Sequence, residues 1–313
     1  MRVATVRDGD GLHAAVLVRR QDGALWVSVP DAALAVLGDE RCPESVAGLL
    51  WRDGPKLLTA RLVAEAAGEG TVPRAVRRWT PEEVVFAPPI PHPGSFLDFY
   101  AFEGHVRASR ARRGLDVPPE WYRYPVYYRS NHRSFIGDRE EAWFPPGETK
   151  MDFEVELAAV LGAPLAGPTA AQAQEAIAGY CLLNDWSARS LQREVMAVGL
   201  GPSKAKDFAT SLGPWIVTTD EAGDLTGVEI AARVNGREWC RGSLAGMRWR
   251  WGEMISFAGA EARFEPGDVF GSGTVAGGCG LELDRFIEPG DVVELDGGGL
   301  LGTLSGTARR KEG

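Results

Sequence analysis

Carboxylates are the first residues in this 313-residue sequence that could do chemistry. In KMDFEVELAAVLG, residues 150–162, Asp152, Glu154 and Glu156 share one parity, and Phe153, Val155 and Leu157 share the other. Alternation along a β-strand puts such a trio on one face, opposite the apolar residues. Two strand rises separate the Cα atoms of Glu154 and Glu156 by about 6.6 Å, close enough for both side chains to reach one ion. A solvated strand face would show the same parity, although like charges on one face repel. No Lys or Thr relieves the acidic set between 151 and 157. At this point an exposed acidic face and a cation site both stand.

Four further stretches carry candidate groups. In LLNDWSARSLQ, 182–192, Asp185 follows an apolar run and is either a group held at the rim of a core or a helix N-cap. In SFLDFYAFEGHV, Asp98 and His105 are seven residues apart and would share a face over two turns of a continuous helix. PSKAKDFATSLGPW places Lys204 and Lys206 ahead of a Gly-Pro-Trp turn; by spacing alone each is a surface charge. GDVFGSGTVAGGCGLEL is a strand running into a glycine-dense loop, which can bring backbone N–H groups close to an anionic ligand. It lacks GxGxxG and GK[ST], so dinucleotide and P-loop readings are rejected.

The elements that must position these groups can be read coarsely. Residues 1–85 form a small α/β leading unit, with strands at MRVATV, HAAVLVRR and GALWVSV separated by DGDG and QDG turns. PDAALAVLG and ESVAGLLWRDG read as short helices. The Pro-rich FAPPIPHPGS, 86–95, is the boundary candidate, which gives a second domain over 86–313. DFYAFEGHVRASRARRG reads as a helix stopped at Gly114. Beyond residue 125 the pattern is strands and Gly turns, interrupted by a helix in TAAQAQEAIAG that Thr169 can cap. MRWRWGE reads as a loop or edge strand packing its Trp residues. The fold class expected is α+β, mostly β.

Composition narrows the partners. A net charge of −9 and the lack of a basic, aromatic-interleaved face exclude a nucleic-acid partner. The apolar runs are too short to cross a bilayer as helices, and the leading residues lack an apolar core of signal-peptide length. Cys42, Cys181, Cys240 and Cys279 are widely spaced, suggesting neither a zinc site nor a disulfide framework. A soluble, reduced, cytoplasmic protein is the expectation.

Taken in order, these segments resemble the fumarylacetoacetate hydrolase (fumarylacetoacetase-like) family. FEVELAAVLG is similar to its E-x-E strand, NDWSARSLQ to its N-D-x-S-A-R-x-x-Q segment, and KDFATSLGPW to its K-x-F…G-P-W strand entry. VNGREW, EPGDVFGSGTVAG and EPGDVVEL resemble the C-terminal strands and glycine loop, so the likeness spans about 96–307. It implies a mixed β-sheet roll, a homodimer, and a divalent cation held by Glu154, Glu156 and Asp185, with Asp152 left as a flanking charge. SFLDFYAFEGHV is most similar to the fumarylacetoacetase branch, which implies Asp98 as a further ligand, His105 as catalytic base and Glu282 as its partner. Arg189, Gln192 and Lys206 match groups that contact the substrate or its developing charge; Tyr100 and Thr274 match substrate-contacting positions.

The implied function is hydrolysis of the C–C bond of a β-diketo acid, acylpyruvate or fumarylacetoacetate-like, through a metal-stabilised enolate. Oxygen ligands suit Mg2+, with Mn2+ or Ca2+ as alternatives. The family also includes enzymes that decarboxylate, isomerise or hydrate 2-keto acids at the same metal site, and a non-catalytic binding protein is a third reading. This sequence departs from the family at Ser190, where Asp is frequent. It departs again at Arg113, which matches an expected Arg only through a one-residue gap, and in YPVYYRSNHRSF.

Overall fold

Two neighbouring strands with no exposed residue form the spine of the protein, Val155–Leu161 and Ile177–Asp185. Both are apolar on both parities except near one end, so both faces of the sheet must be covered. The computed structural model, which describes residues 1–21 and 23–312, covers them with two cores. Val155, Leu157, Ala159 and Leu161 pack with Phe144, Trp186 and Phe270 on one side. Ala158 and Val160 pack with Val3, Val16, Leu49 and Leu50 on the other.

Among the described residues these strands belong to a 12-stranded mixed sheet. Arg2–Asp8 pairs antiparallel with Gly11–Arg20 on one side and with Thr210–Thr218 on the other. The order then runs through Ile177–Asp185, Val155–Leu161 and Val269–Gly271 to Phe96–Phe99 and Tyr127–Arg129. Val269–Gly271 and Phe96–Phe99 pair in parallel. A five-stranded sheet, ordered Arg237–Ser243, Glu229–Val234, Val292–Asp296, Thr303–Arg310 and Glu140–Phe144, completes an α+β fold that is mostly β.

The three leading strands fall where the alternation predicts; of the QDG turn, Asp22 lies outside the described residues. They join the same sheet as the strands after residue 125, and the Pro-rich stretch is built in. Phe86–Ala87 pairs with Thr5 and Val6, and the Thr5 hydroxyl donates to the Pro89 carbonyl at 2.8 Å. We propose that residues 1–85 and 86–313 are two folding units within this continuous sheet. Helices Val29–Leu37 and Val46–Asp53 start where Ser28 and Ser45 accept a backbone N–H from their first turns.

The structure adds one helix and changes two expectations. Leu58–Gly68 is a helix that the sequence reading passed over; it begins at Leu57, at φ 48 and with no side-chain cap, so the usual start signal is missing. MRWRWGE is a loop only as far as Arg250, with Trp249 packed against the core; its last three residues open the helix Trp251–Gly259, which buries Trp251, Met254, Ile255 and Ala258 at helical spacing. Asp98 and His105 do not share a helix. Asp98 lies in the strand Phe96–Phe99 and His105 in the helix Glu103–Ala111, with a break between them.

Candidate active site

Parity carries three carboxylates to one place. Asp98 shares the face of Phe96, Glu156 that of Ala158 and Val160, and Asp185 that of Cys181 and Leu183, and all of these apolar partners belong to a single core cluster. The strands are neighbours in the sheet, with Ala158 opposite Gly271 and Gly271 opposite Asp98. One end of a covered sheet face is thus apolar and the other end acidic. Glu154 reaches the same place from the irregular step between Met151–Asp152 and Val155–Leu161, where its N–H donates to Asn184 Oδ1 at 3.0 Å.

Asp98, Glu154, Glu156 and Asp185 each present a carboxylate oxygen within 4.8 Å of the others, and all four are buried. An exposed acidic face is therefore excluded, as is Asp185 as a cap, because the helix that follows begins at Arg189 with Ala188 at its N-cap. The glycine loop makes the cluster possible. A Cβ at Gly271 would sit 2.4 Å from Asp98 Oδ1. Gly273, at φ 76, donates its N–H to Asp98 Oδ1 and Glu156 Oε2, each at 3.1 Å. The loop N–H groups expected near an anionic ligand thus serve the chain's own carboxylates.

Two cations reach the cluster. Lys206 Nζ donates to Glu154 Oε2 at 2.6 Å and to Asp185 Oδ2 at 2.5 Å. Arg189 donates to Asp152 Oδ2 and Glu154 Oε1, both at 2.7 Å, and to Gln192 Oε1 at 2.9 Å. Asp152, expected as a flanking charge, stands outside the four-carboxylate cluster. It is fully buried and also accepts the N–H groups of Gly280 and Leu281, so it anchors Arg189 and the glycine loop together.

Burial and neighbouring carboxylates push Asp98 and Glu156 well above the usual carboxylate range. Burial also raises Asp185, against the pull of Lys206. Burial acts the same way on Glu154, but Lys206 and Arg189 outweigh it and hold that carboxyl below its ordinary value. In Lys206, burial opposes the charge and is outweighed by Asp185 and Glu154, which keep the ammonium above its ordinary value. Fully ionised, the five carboxylates Asp98, Asp152, Glu154, Glu156 and Asp185 would face the two cations Lys206 and Arg189, leaving three negative charges buried. Uncompensated buried charge costs several kcal/mol per ion. A divalent cation relieves that excess, and an all-oxygen donor set fits Mg2+, Mn2+ or Ca2+.

Beside the cluster stands a second buried pair. His105 Nδ1 donates to Glu282 Oε1 at 2.6 Å, and both side chains are largely buried. Glu282 Oε2 accepts the Gly277 N–H at 3.1 Å, which fixes the carboxylate. The imidazole Nε2 lies 3.5 Å from Ser109 Oγ, and the Tyr100 ring meets the imidazole edge-on at 5.3 Å. Thr274, read as a substrate contact, directs its hydroxyl to Glu156 Oε1 at 3.4 Å.

Tyr128 is a group the sequence reading missed. It stands opposite Asp98 on the adjacent strand, and its hydroxyl donates to Asp185 Oδ2. The aromatic run PVYYRS announced a strand there, but nothing in its spacing marked which tyrosine points inward.

The fumarylacetoacetate (FAA) hydrolase C-terminal family model matches residues 95–309. A protein of Burkholderia multivorans, provisionally named a hydrolase, is 34% identical over 189 residues, 59% of this chain and 64% of its own. The chain thus spans less than two thirds of that relative's length. Among solved structures, a 5-carboxymethyl-2-hydroxymuconate delta-isomerase from Mycobacterium smegmatis is similar at TM-score 0.70 and 25% identity, covering 99% of this chain and 100% of its own. A maleylpyruvate hydrolase from Sphingobium sp. SYK-6, in complex with manganese(II) and pyruvate, has TM-score 0.72 and 19% identity, covering 100% of both chains. At that identity the last likeness is one of fold.

Proposed function

The chain belongs to the fumarylacetoacetate hydrolase family, and from that premise we propose that it is a divalent-metal-dependent hydrolase cleaving the C–C bond of a β-diketo acid, acylpyruvate or fumarylacetoacetate-like. The observation that carries this reading is the His105–Glu282 pair, 2.6 Å apart and next to a four-carboxylate cluster. Hydrolysis needs a hydroxide nucleophile, and a positioned imidazole is the group that makes one from water.

In this reading Asp98, Glu154, Glu156 and Asp185 hold the cation, Mg2+ first, with Mn2+ or Ca2+ as alternatives. When bound, it supplies Lewis-acid stabilisation of the charge that develops on the ketonic oxygens as the C–C bond breaks. Glu282 keeps the imidazole proton on Nδ1, so Nε2 takes the proton from water and the resulting hydroxide attacks the far carbonyl. Lys206, as a buried ammonium, lends positive charge to the same oxygens. Arg189 is engaged on all sides and acts through Gln192, whose Oε1 it fixes. Tyr100 and Thr274 are the proposed substrate contacts. A homodimer and a cytoplasmic setting belong to the same proposal. No helix of the described residues is long and apolar enough to cross a membrane.

One observation favours a second reading, isomerisation of a 2-keto acid: the likeness to the M. smegmatis isomerase extends over nearly the whole chain. The test offers the protein an acylpyruvate, a hydroxymuconate and oxaloacetate, each with Mg2+ and after chelation. Two acid products from the acylpyruvate support hydrolysis. A rearranged hydroxymuconate, or CO2 from oxaloacetate, with the acylpyruvate untouched, overturns it.

A further inference from the structure

A second ligand cluster sits against the first and has the opposite chemical character. His105, Cys279 and Glu282 each present a donor atom within 4.8 Å of the others. Cys279 Sγ lies 3.7 Å from Glu282 Oε1, the same oxygen that meets His105 Nδ1 at 2.6 Å. Cys279 is fully buried, and His105 is 5% exposed.

The local chain is shaped to make this approach. Cys279 is the N-cap of the short helix Gly280–Leu283, so Cys279 and Glu282 fall on one turn, while His105 comes from the helix Glu103–Ala111 packed against it. Gly280 must be glycine here, since a Cβ would lie 2.1 Å from the Arg285 carbonyl and 2.6 Å from Asp152 Oδ1. The Gly277 N–H holds the far oxygen of Glu282 and leaves Oε1 facing the thiol and the imidazole.

We propose that His105, Cys279 and Glu282 form a zinc site that inhibits the enzyme, with imidazole nitrogen, thiolate sulfur and carboxylate oxygen as its three protein ligands. The inhibitory part rests on the reading of His105 as the base; the site itself does not. One nitrogen, one sulfur and one oxygen donor is a set that zinc accepts and that hard cations avoid. The two clusters therefore sort ions: all-oxygen donors for Mg2+, Mn2+ or Ca2+, and the mixed set for Zn2+. Burial keeps the Cys279 thiol protonated, so the Zn–S bond forms as the S–H proton leaves to solvent, and the Nδ1 proton leaves likewise as nitrogen binds. Zinc so held takes the imidazole away from Glu282, and His105 no longer sits in the tautomer and orientation that accept a proton from water.

The test uses the full chain saturated with Mg2+ and titrated with Co2+, which takes zinc ligands and reports thiolate ligation as a charge-transfer absorption in the near ultraviolet. The expected result is that absorption in the unaltered protein, its loss on adding Zn2+, and its absence in Cys279→Ser and Cys279→Ala. Both variants should need at least about tenfold more Zn2+ to block turnover, since even outer-shell partners of a ligand are worth roughly 10–100-fold in metal affinity. Cobalt binding without the absorption, or equal Zn2+ inhibition of Cys279→Ser, overturns the site. The absorption reads ligation rather than turnover. A protein that shows it but cleaves no diketo acid keeps the zinc site and loses the hydrolase reading.

Discussion

His105 and Glu282 stand 177 residues apart in the sequence and 2.6 Å apart in space, imidazole Nδ1 to carboxylate Oε1. The pairing assigns the ring proton to Nδ1 and leaves Nε2 as the nitrogen able to receive one. Replacing His105 by Ala should cost about 10²–10⁴ in kcat, the range for loss of a positioned base. Glu282→Gln should slow turnover while Mg2+ affinity holds, because neither residue is among the four clustered carboxylates. Steady-state kinetics beside a calorimetric Mg2+ titration read both quantities. Full-rate turnover in His105→Ala would remove the base from the mechanism.

Cation binding should strengthen as pH rises. Asp98 and Glu156 are held well above their usual values of 3.8 and 4.5, so in the metal-free fold they keep protons that the unfolded chain has already released. Where the folded state binds more protons than the unfolded state, stability falls with rising pH, here from about 4.5 upward toward the raised folded values. Glu154 works the other way, but below 4.5, since its folded value is depressed. The rise in Tm on adding Mg2+ should therefore grow from pH 5 to neutrality. A Tm increment that is flat across that window would contradict the protonation argument.

Gly271→Ala should weaken cation binding while leaving the chain folded. The added Cβ would stand 2.4 Å from Asp98 Oδ1 and 3.2 Å from Glu156 Oε2, in the middle of the carboxylates and away from either apolar core. Circular dichroism should be unchanged while Mg2+ affinity drops. Unchanged affinity would mean that Asp98 is dispensable to the site.

Arg189→Ala should destabilise the protein as well as inactivate it. The guanidinium offsets buried Asp152 and Glu154, and removing one partner of a buried ion pair costs about 3–5 kcal/mol. Denaturant unfolding measures this directly. A loss below about 1 kcal/mol, the scale of an exposed pair, would make Arg189 a substrate contact with no part in the fold.

Strand alternation singled out the carboxylates, but parity alone left an exposed face standing, and their assignment to one cation came from the family resemblance. Glu154, Glu156 and Asp185 each sit at or beside the end of an apolar run, and the fold needed only to bring those ends together. Asp98 and His105 were legible as a pair but not in their geometry. The seven-residue spacing suits a helix, yet Asp98 is claimed by parallel pairing to Val269–Gly271, a contact between residues about 170 positions apart. Asp152 looked like a third member of the acidic face. Its partners, Arg189 and the N–H groups of Gly280 and Leu281, come from two distant segments that parity cannot see. Tyr128 and Cys279 escaped for the same reason, since what marks them is the side chain opposite them in space.

The central claim is that this site adds water across a C–C bond. Turnover of an acylpyruvate with Mg2+ in oxygen-18-labelled water, followed by mass spectrometry of the products, tests it most directly. The account predicts one heavy oxygen in the carboxylate newly formed on the acyl half, and the loss of that product in His105→Ala. A rearranged product, or one that has lost only CO2, with no label built into an acyl-derived acid, would contradict it.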